Sequence, residues 1–275
     1  MLTFVEGLSL AGDRAKQNDD AFGFASGRAW VIDGATDLHE HSLTGAASDA
    51  AWIAHHANTS FHAAEGDDLR AIVRDASKAA AHDLHRLTGD VGEHWRKPIA
   101  SMVMLSETGA GVAGLDLGDC RVFALDADGG VHVAGGPEGA ADEEAALAAQ
   151  QTDADKPLLR RDDTIAMLRR MRGELNQPGA HWSFCTDPAC ADEARTWSLT
   201  LKRPAHVLLM TDGFSALVDR YRAYDAAGLL RSARDKGLAE LGRELRAIEA
   251  EDASGARHPR FKRSDDATAL LMRLS

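Results

Sequence analysis

The apolar and polar positions of the chain fall into short segments with two different periods. Leu2–Leu10 alternates loosely, Ala21–Ala25 is short and partly aromatic, and Ala29–Asp33 is an apolar run that ends in an acid. Each predicts a strand, with Ser26-Gly27 turning between the last two. From Thr44 to Ala64 the chain becomes alanine-rich, with Ala47, Ala51, Ala54 and Phe61 on one side of a predicted helix. Asp67 or Asp68 can cap a second helix that runs through Ile72, Val73, Ala76, Ala80 and Leu84 to Leu87. After Pro98 the period drops towards two. Ile99–Leu105, Gly111–Leu117, Arg121–Leu125 and Val131–Ala134 read as consecutive antiparallel strands, with hairpin chemistry at Thr108-Gly109 and Asp126–Gly130. Strands are again predicted at His181–Cys185, Thr196–Leu201, His206–Met210 and Ala267–Leu274, and helices at Tyr224–Arg234 and Leu238–Glu251. Between these parts, 135–180 is an excursion of Gly, Ala and Glu, a basic helical stretch at Arg160–Arg172, and Asn-Gln-Pro-Gly. It is expected to be a flap or insert within one domain spanning 1–275. Strands and helices cluster rather than alternate, so the fold class is α+β.

Charge narrows the partners. Lys and Arg number 31 against 43 Asp and Glu, a net charge of −12, and no Lys/Arg run exceeds two residues. An acidic chain without a basic patch is a poor ligand for nucleic acid or anionic lipid. The first residues lack a basic start followed by a long apolar run, and no apolar stretch approaches the roughly 18 residues of a membrane span. A cytoplasmic location is expected. Three cysteines, Cys120, Cys185 and Cys190, suggest neither a disulfide framework nor a zinc site. None has an Arg six positions later, which excludes a thiol-phosphatase loop.

Three motifs are decoys. Gly109, Gly111 and Gly114 have dinucleotide-loop spacing, but six residues before Arg121 leave no room for the helix whose N-terminus would face a pyrophosphate. Asp126-Ala-Asp128-Gly-Gly after an apolar run resembles the start of haloacid dehalogenase-type phosphatases, with Asp126 as nucleophile. It sits mid-chain on a hairpin and is ordinary turn chemistry. His39/His41, His55/His56/His62 and His82/His85 lack the cysteine or carboxylate that would complete a zinc set, and read as solvated helix residues.

What remains is a series of aspartates at strand ends: Asn18-Asp19-Asp20-Ala21, Val31-Ile32-Asp33-Gly34, Gly118-Asp119-Cys120-Arg121, Met210-Thr211-Asp212-Gly213 and Ser264-Asp265-Asp266-Ala267. An apolar run that ends twice in Asp-Gly buries the strand, leaves the acid at the rim, and lets backbone approach whatever the acid holds. Carboxylates converging on one rim repel unless cations neutralise them. Oxygen donors without nearby Cys or His favour Mg²⁺ or Mn²⁺.

The ordered set NDDA, VIDGATD, LGDCR, MTDGFSALVD and SDDATALL resembles the metal-dependent protein phosphatases of type 2C, the PPM family, from Asn18 to Leu271. The resemblance implies a four-layer α-β-β-α sandwich, two packed antiparallel sheets flanked by helices. It also implies hydrolysis of phosphoserine and phosphothreonine esters by water activated between two Mn²⁺ or Mg²⁺ ions. On that likeness Asp33 bridges the two ions and Gly34 offers its carbonyl. Asp212 and Asp265 ligate the same pair, Asp20 and Asp19 bind directly or through water, and Asp119 serves a third, weaker ion. The implied partners are a phosphorylated protein substrate and a cognate Ser/Thr kinase. Three departures stand out. Ala15 occupies the place of the phosphate-gripping Arg, leaving Arg14, Lys16, Lys262 or Arg263 to substitute. Ala35 replaces a His that can act as general acid, which turns attention to His39 and His41. Asp266 stands where Asn is usual. These departures keep open a rival reading, a catalytically degenerate regulatory or binding domain.

Overall fold

The computed structural model describes residues 1–137, 139–150 and 162–275. Its strands are β1 (Leu2–Leu10), β2 (Asp20–Ala25), β3 (Arg28–Gly34), β4 (Ala100–Thr108), β5 (Gly111–Leu117), β6 (Arg121–Leu125), β7 (Val131–Ala134), β8 (Arg195–Thr200), β9 (Ala205–Met210) and β10 (Ala267–Leu274). They form two five-stranded antiparallel sheets, ordered β1-β10-β9-β6-β7 and β2-β3-β4-β5-β8. The α+β class and the layered sandwich expected from the sequence are both present.

Period-two alternation explains the packing. On β3, Ala29 and Val31 enter the core between the sheets, while Trp30 and Ile32 face the opposite way. Val207 and Leu209 on β9, with Leu270 and Met272 on β10, meet them from the other sheet. Because the central strands are buried on both faces, they read as unbroken apolar runs. Helices α1 (Asp49–Ala63) and α2 (Leu69–Thr88) cover Trp30, Ile32, Met102 and Met104 with Ile53, Ala57, Phe61, Val73 and Ala76. Helices α6 (Asp212–Asp219), α7 (Ala226–Lys236) and α8 (Leu238–Glu251) cover the other sheet with Phe214, Leu217, Leu229, Leu230, Leu241 and Leu245.

Local chemistry sets the ends. Asp68 caps α2, accepting the Ala71 N–H at 3.1 Å. The predicted helix from Thr44 starts later, at Asp49. Its carboxylate draws the Leu43 and Thr44 N–H groups and the Ser42 and Thr44 hydroxyls around itself, so 42–48 forms a loop. His181–Cys185 is not a strand. Only Phe184 bridges to Ala100, at the end of β4 beyond Met102, where β5 pairing stops at Leu117. The decoys resolve as turns: Gly111 pairs with Thr108 in the β4–β5 hairpin, and Asp126 accepts the Asp128 and Gly130 N–H groups of its own turn.

The excursion at 135–180 carries α3 (Ala140–Ala149) and α4 (Asp162–Glu174). The predicted Arg160–Arg172 helix is seen from Asp162, and Arg160 and Arg161 lie outside the described residues. Arg169 and Arg172 on α4 donate to the Leu38 and Thr36 carbonyls, and Arg169 lies over Trp95 at 4.4 Å. Among the described residues, no helix is long and apolar enough to cross a membrane.

Candidate metal centre and active site

Strand register brings the first acids together. Asp33, next to last in β3, lies opposite Asp20 of β2 on one side and Ser101 of β4 on the other. It follows Ala29 and Val31 in period, so its side chain sits at the rim of the inter-sheet face. The other sheet supplies the rest. Thr211, just after β9, donates its hydroxyl to Asp20 Oδ2 at 2.9 Å, across the sandwich, while accepting the Thr268 N–H at 2.9 Å. Asp212 follows at the start of α6, and Asp265 just precedes β10.

Backbone crowding makes the glycines of both Asp-Gly pairs obligatory. A side chain at Gly34 would strike the Ala50 and Asp19 carbonyls, and one at Gly213 would strike the Asp266 carbonyl. Asp266 buckles the loops together, its two carboxylate oxygens accepting the Gly12 and Asp19 N–H groups at 2.7 and 2.6 Å. Arg246 from α8 donates to the Leu10 and Asp265 carbonyls at 3.0 and 2.8 Å, fixing the backbone beneath Asp265.

The electrostatics of this rim are those of a site built for cations. Burial, then the neighbouring Asp20 and Asp212, hold the Asp33 carboxyl well above the usual carboxylate range. Burial, then Asp265 and Asp119, push Asp212 up to about 7. Asp33 and Asp212 act on each other, each disfavouring the other's charge. Asp20 is likewise raised, by burial first, and burial pushes Asp19 up to about 6. Asp19 Oδ1 and Asp20 Oδ1 are buried without a hydrogen-bond partner among the described residues. Lys262 donates to Asp265 at 2.5 Å. Although burial opposes its charge, the charges of Asp265, Asp33 and Asp212 push its pKa upward. One ammonium against this many carboxylates leaves an unbalanced negative centre, and orphaned buried oxygens are the donors a hard divalent cation takes. The residues therefore fit Mg²⁺ or Mn²⁺.

A cleft of about 840 Å³ opens beside these acids. Asp119, Asp212 and Asp265 line it, with Lys262, Arg121, Arg172, Arg220 and His181. The excursion forms its far wall. Glu144 of α3 pairs with Arg220, and Asp142 pairs with Arg222 at 3.0 Å. Asp33 and Asp20 sit behind this opening at the sheet rim. Arg14 and Lys16, named from the sequence for phosphate, are exposed and do not line the cleft. Arg263 is exposed too, whereas Lys262 faces the cleft. His41 is exposed, and His39 is held 3.5 Å from Asp49, so neither imidazole lines the cleft; His181 does. Glu144, Arg172, Arg220 and His181 were not named from sequence. The Arg160–Arg172 helix was the one signal that could have found any of them.

Among the described residues, the His, Cys, Asp and Glu ligand atoms that lie within 4.8 Å of one another are those of Asp37, His39 and Asp49, and not those of the rim. These carboxylates are engaged at the start of α1. Asp37 accepts the Asp49 N–H at 2.9 Å, and Asp49 accepts the four groups of its own loop. The positive end of α1 disfavours a cation there.

Comparison with known proteins identifies the family. The sequence model of the protein phosphatase 2C family matches residues 13–246, which includes Asp19, Asp20, Asp33, Asp119 and Asp212. The chain belongs to the protein phosphatase 2C family. No curated protein matches it in sequence. Among solved structures, it is similar to the serine/threonine phosphatase PstP/Ppp of Mycobacterium tuberculosis, with a TM-score of 0.60, 15% identity, and coverage of 100% of this chain and 99% of that one. MsPP, a PPM Ser-Thr phosphatase of Mycobacterium smegmatis bound to cacodylate, gives a TM-score of 0.56 and 16% identity over 99% of this chain and 100% of its own. A PstP catalytic domain in complex with two manganese ions gives 0.55 and 14%, covering 99% of each chain. At these identities the likeness to each is one of fold.

Proposed function

We propose that this phosphatase 2C member is an active serine/threonine protein phosphatase that hydrolyses phosphomonoesters with a pair of Mn²⁺ or Mg²⁺ ions. The observation that carries the reading is the convergence of Asp20, Asp33, Asp212 and Asp265, from both sheets, on one rim with buried carboxylate oxygens left unpartnered. Asp33, Asp20, Asp212 and Asp265 would hold the pair, with Asp19 and the Gly34 carbonyl beside them and Asp119 towards a third ion. Such ions, when bound, supply Lewis acidity and lower the pKa of water. The chain itself would fix Asp20 and Asp33 on paired strands, bring Asp212 and Asp265 to them from the other sheet's edge, and set Lys262 and Arg121 on the cleft wall to face an anionic phosphoryl group. The 1–275 chain is read as one phosphatase domain, with α3 and α4 walling the cleft against a phosphoprotein segment. The manganese pair in the PstP structure supports the choice of metal.

The test is hydrolysis of p-nitrophenyl phosphate and a phosphothreonine peptide with Mn²⁺, with Mg²⁺ and with excess EDTA. Metal-dependent turnover abolished by EDTA is expected. Folded protein without turnover in any metal would reject the enzymatic reading.

One observation favours the regulatory alternative. Each of four basic groups on the cleft wall already has a partner: Lys262 with Asp265, Arg220 with Glu144, Arg222 with Asp142, and Arg172 with the Thr36 carbonyl. A binding domain of that kind would take up Mn²⁺ or phosphopeptide without releasing phosphate.

A further inference from the structure

Cys185 and Cys190 bracket a turn whose Asp187 and Ala189 are exposed, while both cysteines are buried beneath it and carry free thiols. The turn folds both residues back on one backbone unit. Cys185 Sγ accepts the Asp187 N–H at 3.4 Å and lies 3.7 Å from the Asp187 carbonyl oxygen. That same carbonyl accepts the Cys190 N–H at 3.0 Å. Ser77 of α2 clamps the turn, its hydroxyl donating to the Cys185 carbonyl at 2.6 Å. The influence of each thiol on the other raises the pKa of Cys185 and lowers that of Cys190. Such a split makes one sulfur the better nucleophile and keeps the second protonated beside it. Cys120 lies elsewhere, in the core between the sheets.

We infer that Cys185 and Cys190 form a peroxide-sensitive dithiol that closes to an intrachain disulfide. One sulfur takes an oxygen from hydrogen peroxide as the O–O bond breaks, becoming a sulfenic acid and releasing one water. The second sulfur displaces that oxygen as a second water, and the S–S bond forms. Two electrons pass from the sulfurs to the peroxide, and both thiol hydrogens leave in water. The placement gives the bond a mechanical consequence. The segment just before Cys185 supports the turn that carries Asp119: the Trp182 carbonyl accepts the Gly118 N–H at 3.0 Å, and Phe184 bridges Ala100. A disulfide would fasten this segment to the short helix α5 (Cys190–Glu193). The inference does not rest on the phosphatase reading.

Both cysteines fall in one tryptic peptide, Gly173–Arg195, and Cys120 falls in another. The full chain is treated with hydrogen peroxide, denatured, alkylated and digested. The expected result is a Gly173–Arg195 peptide lacking two hydrogens and bearing no alkyl group, with Cys120 alkylated. Prior treatment with dithiothreitol should restore two alkyl groups. In Cys190→Ser, Cys185 should no longer form a disulfide. A peroxide-treated peptide that carries two alkyl groups, or sulfur oxides without an S–S bond, would overturn the proposal, as would a disulfide that survives in Cys190→Ser.

Discussion

Asp33 is held on both sides by strand pairing, with Asp20 to one side and Ser101 to the other, whereas Glu144 and Asp142 fasten α3 to the body through the guanidiniums of Arg220 and Arg222. The rim and the far wall of the same cleft are thus held by different forces. Backbone ladders are directional and cooperative, and they hold carboxylates at positions that repulsion alone would scatter. Ion pairs between side chains are softer, more salt-sensitive and individually worth little where exposed. Under the proposed function, the chemistry falls to the strand-held region and substrate contact to the one held by ion pairs.

The largest break in this comparison comes from the rim. Asp33→Asn and Asp212→Asn should each lower metal-dependent kcat by about 100-fold or more while the fold survives, because each removes a charge that would hold a cation in the proposed centre. Circular dichroism alongside p-nitrophenyl phosphate turnover checks this, and near wild-type turnover in a folded, metal-loaded variant would sink the assignment.

Loosening the wall should act differently. Arg220→Ala leaves Glu144 without its partner in the cleft, and is expected to raise KM for a phosphopeptide by about 10-fold while changing turnover of the small ester far less. Equal losses on both substrates would show that α3 supports the rim itself.

A third effect sharpens the contrast through pH. Asp19 and Asp212 have folded-state pKa values raised to about 6 and about 7. Unfolded aspartates titrate near ~3.9, so the raised groups favour the metal-free fold below that pH, and their contribution is lost as pH rises through about 6 to 7. EDTA-treated protein should melt at a lower temperature at pH 8 than at pH 5.5, and Mn²⁺ should reverse the loss. A melting temperature that rises over this interval without metal would contradict the electrostatic account. The smallest expected effect is at Asp126, which closes its own hairpin turn: Asp126→Asn should change activity by less than about 2-fold, and a large loss would revive the haloacid dehalogenase reading.

Much of the rim was legible because strand ends are local events. An apolar run that stops at Asp-Gly marks both the strand and the acid at its end, whereas the roles of Asp33 and Asp212 came from the whole set of acids and the family resemblance. Their glycines were legible for an incomplete reason, since backbone carbonyls of Asp19, Ala50 and Asp266 crowd them. The Asp266 carboxylate that ties Gly12 to Asp19 could not be read, because that contact joins residues 247 positions apart or more. The wall was illegible for a related cause. Glu144 and Arg220 gain meaning only through pairing across 76 positions, and no periodicity encodes which charges on a solvated helix will meet. His181–Cys185 misled because an apolar, aromatic stretch fits one bridging residue at a strand end as well as it fits a strand.

The central claim is that the rim carboxylates form a divalent-cation centre, and calorimetric titration of Mn²⁺ into chelator-stripped protein tests it most directly. The account predicts saturable binding by the wild-type chain that is strongly weakened in Asp33→Asn. Absence of binding by folded wild-type protein, or equal binding by the Asp33→Asn variant, would contradict it.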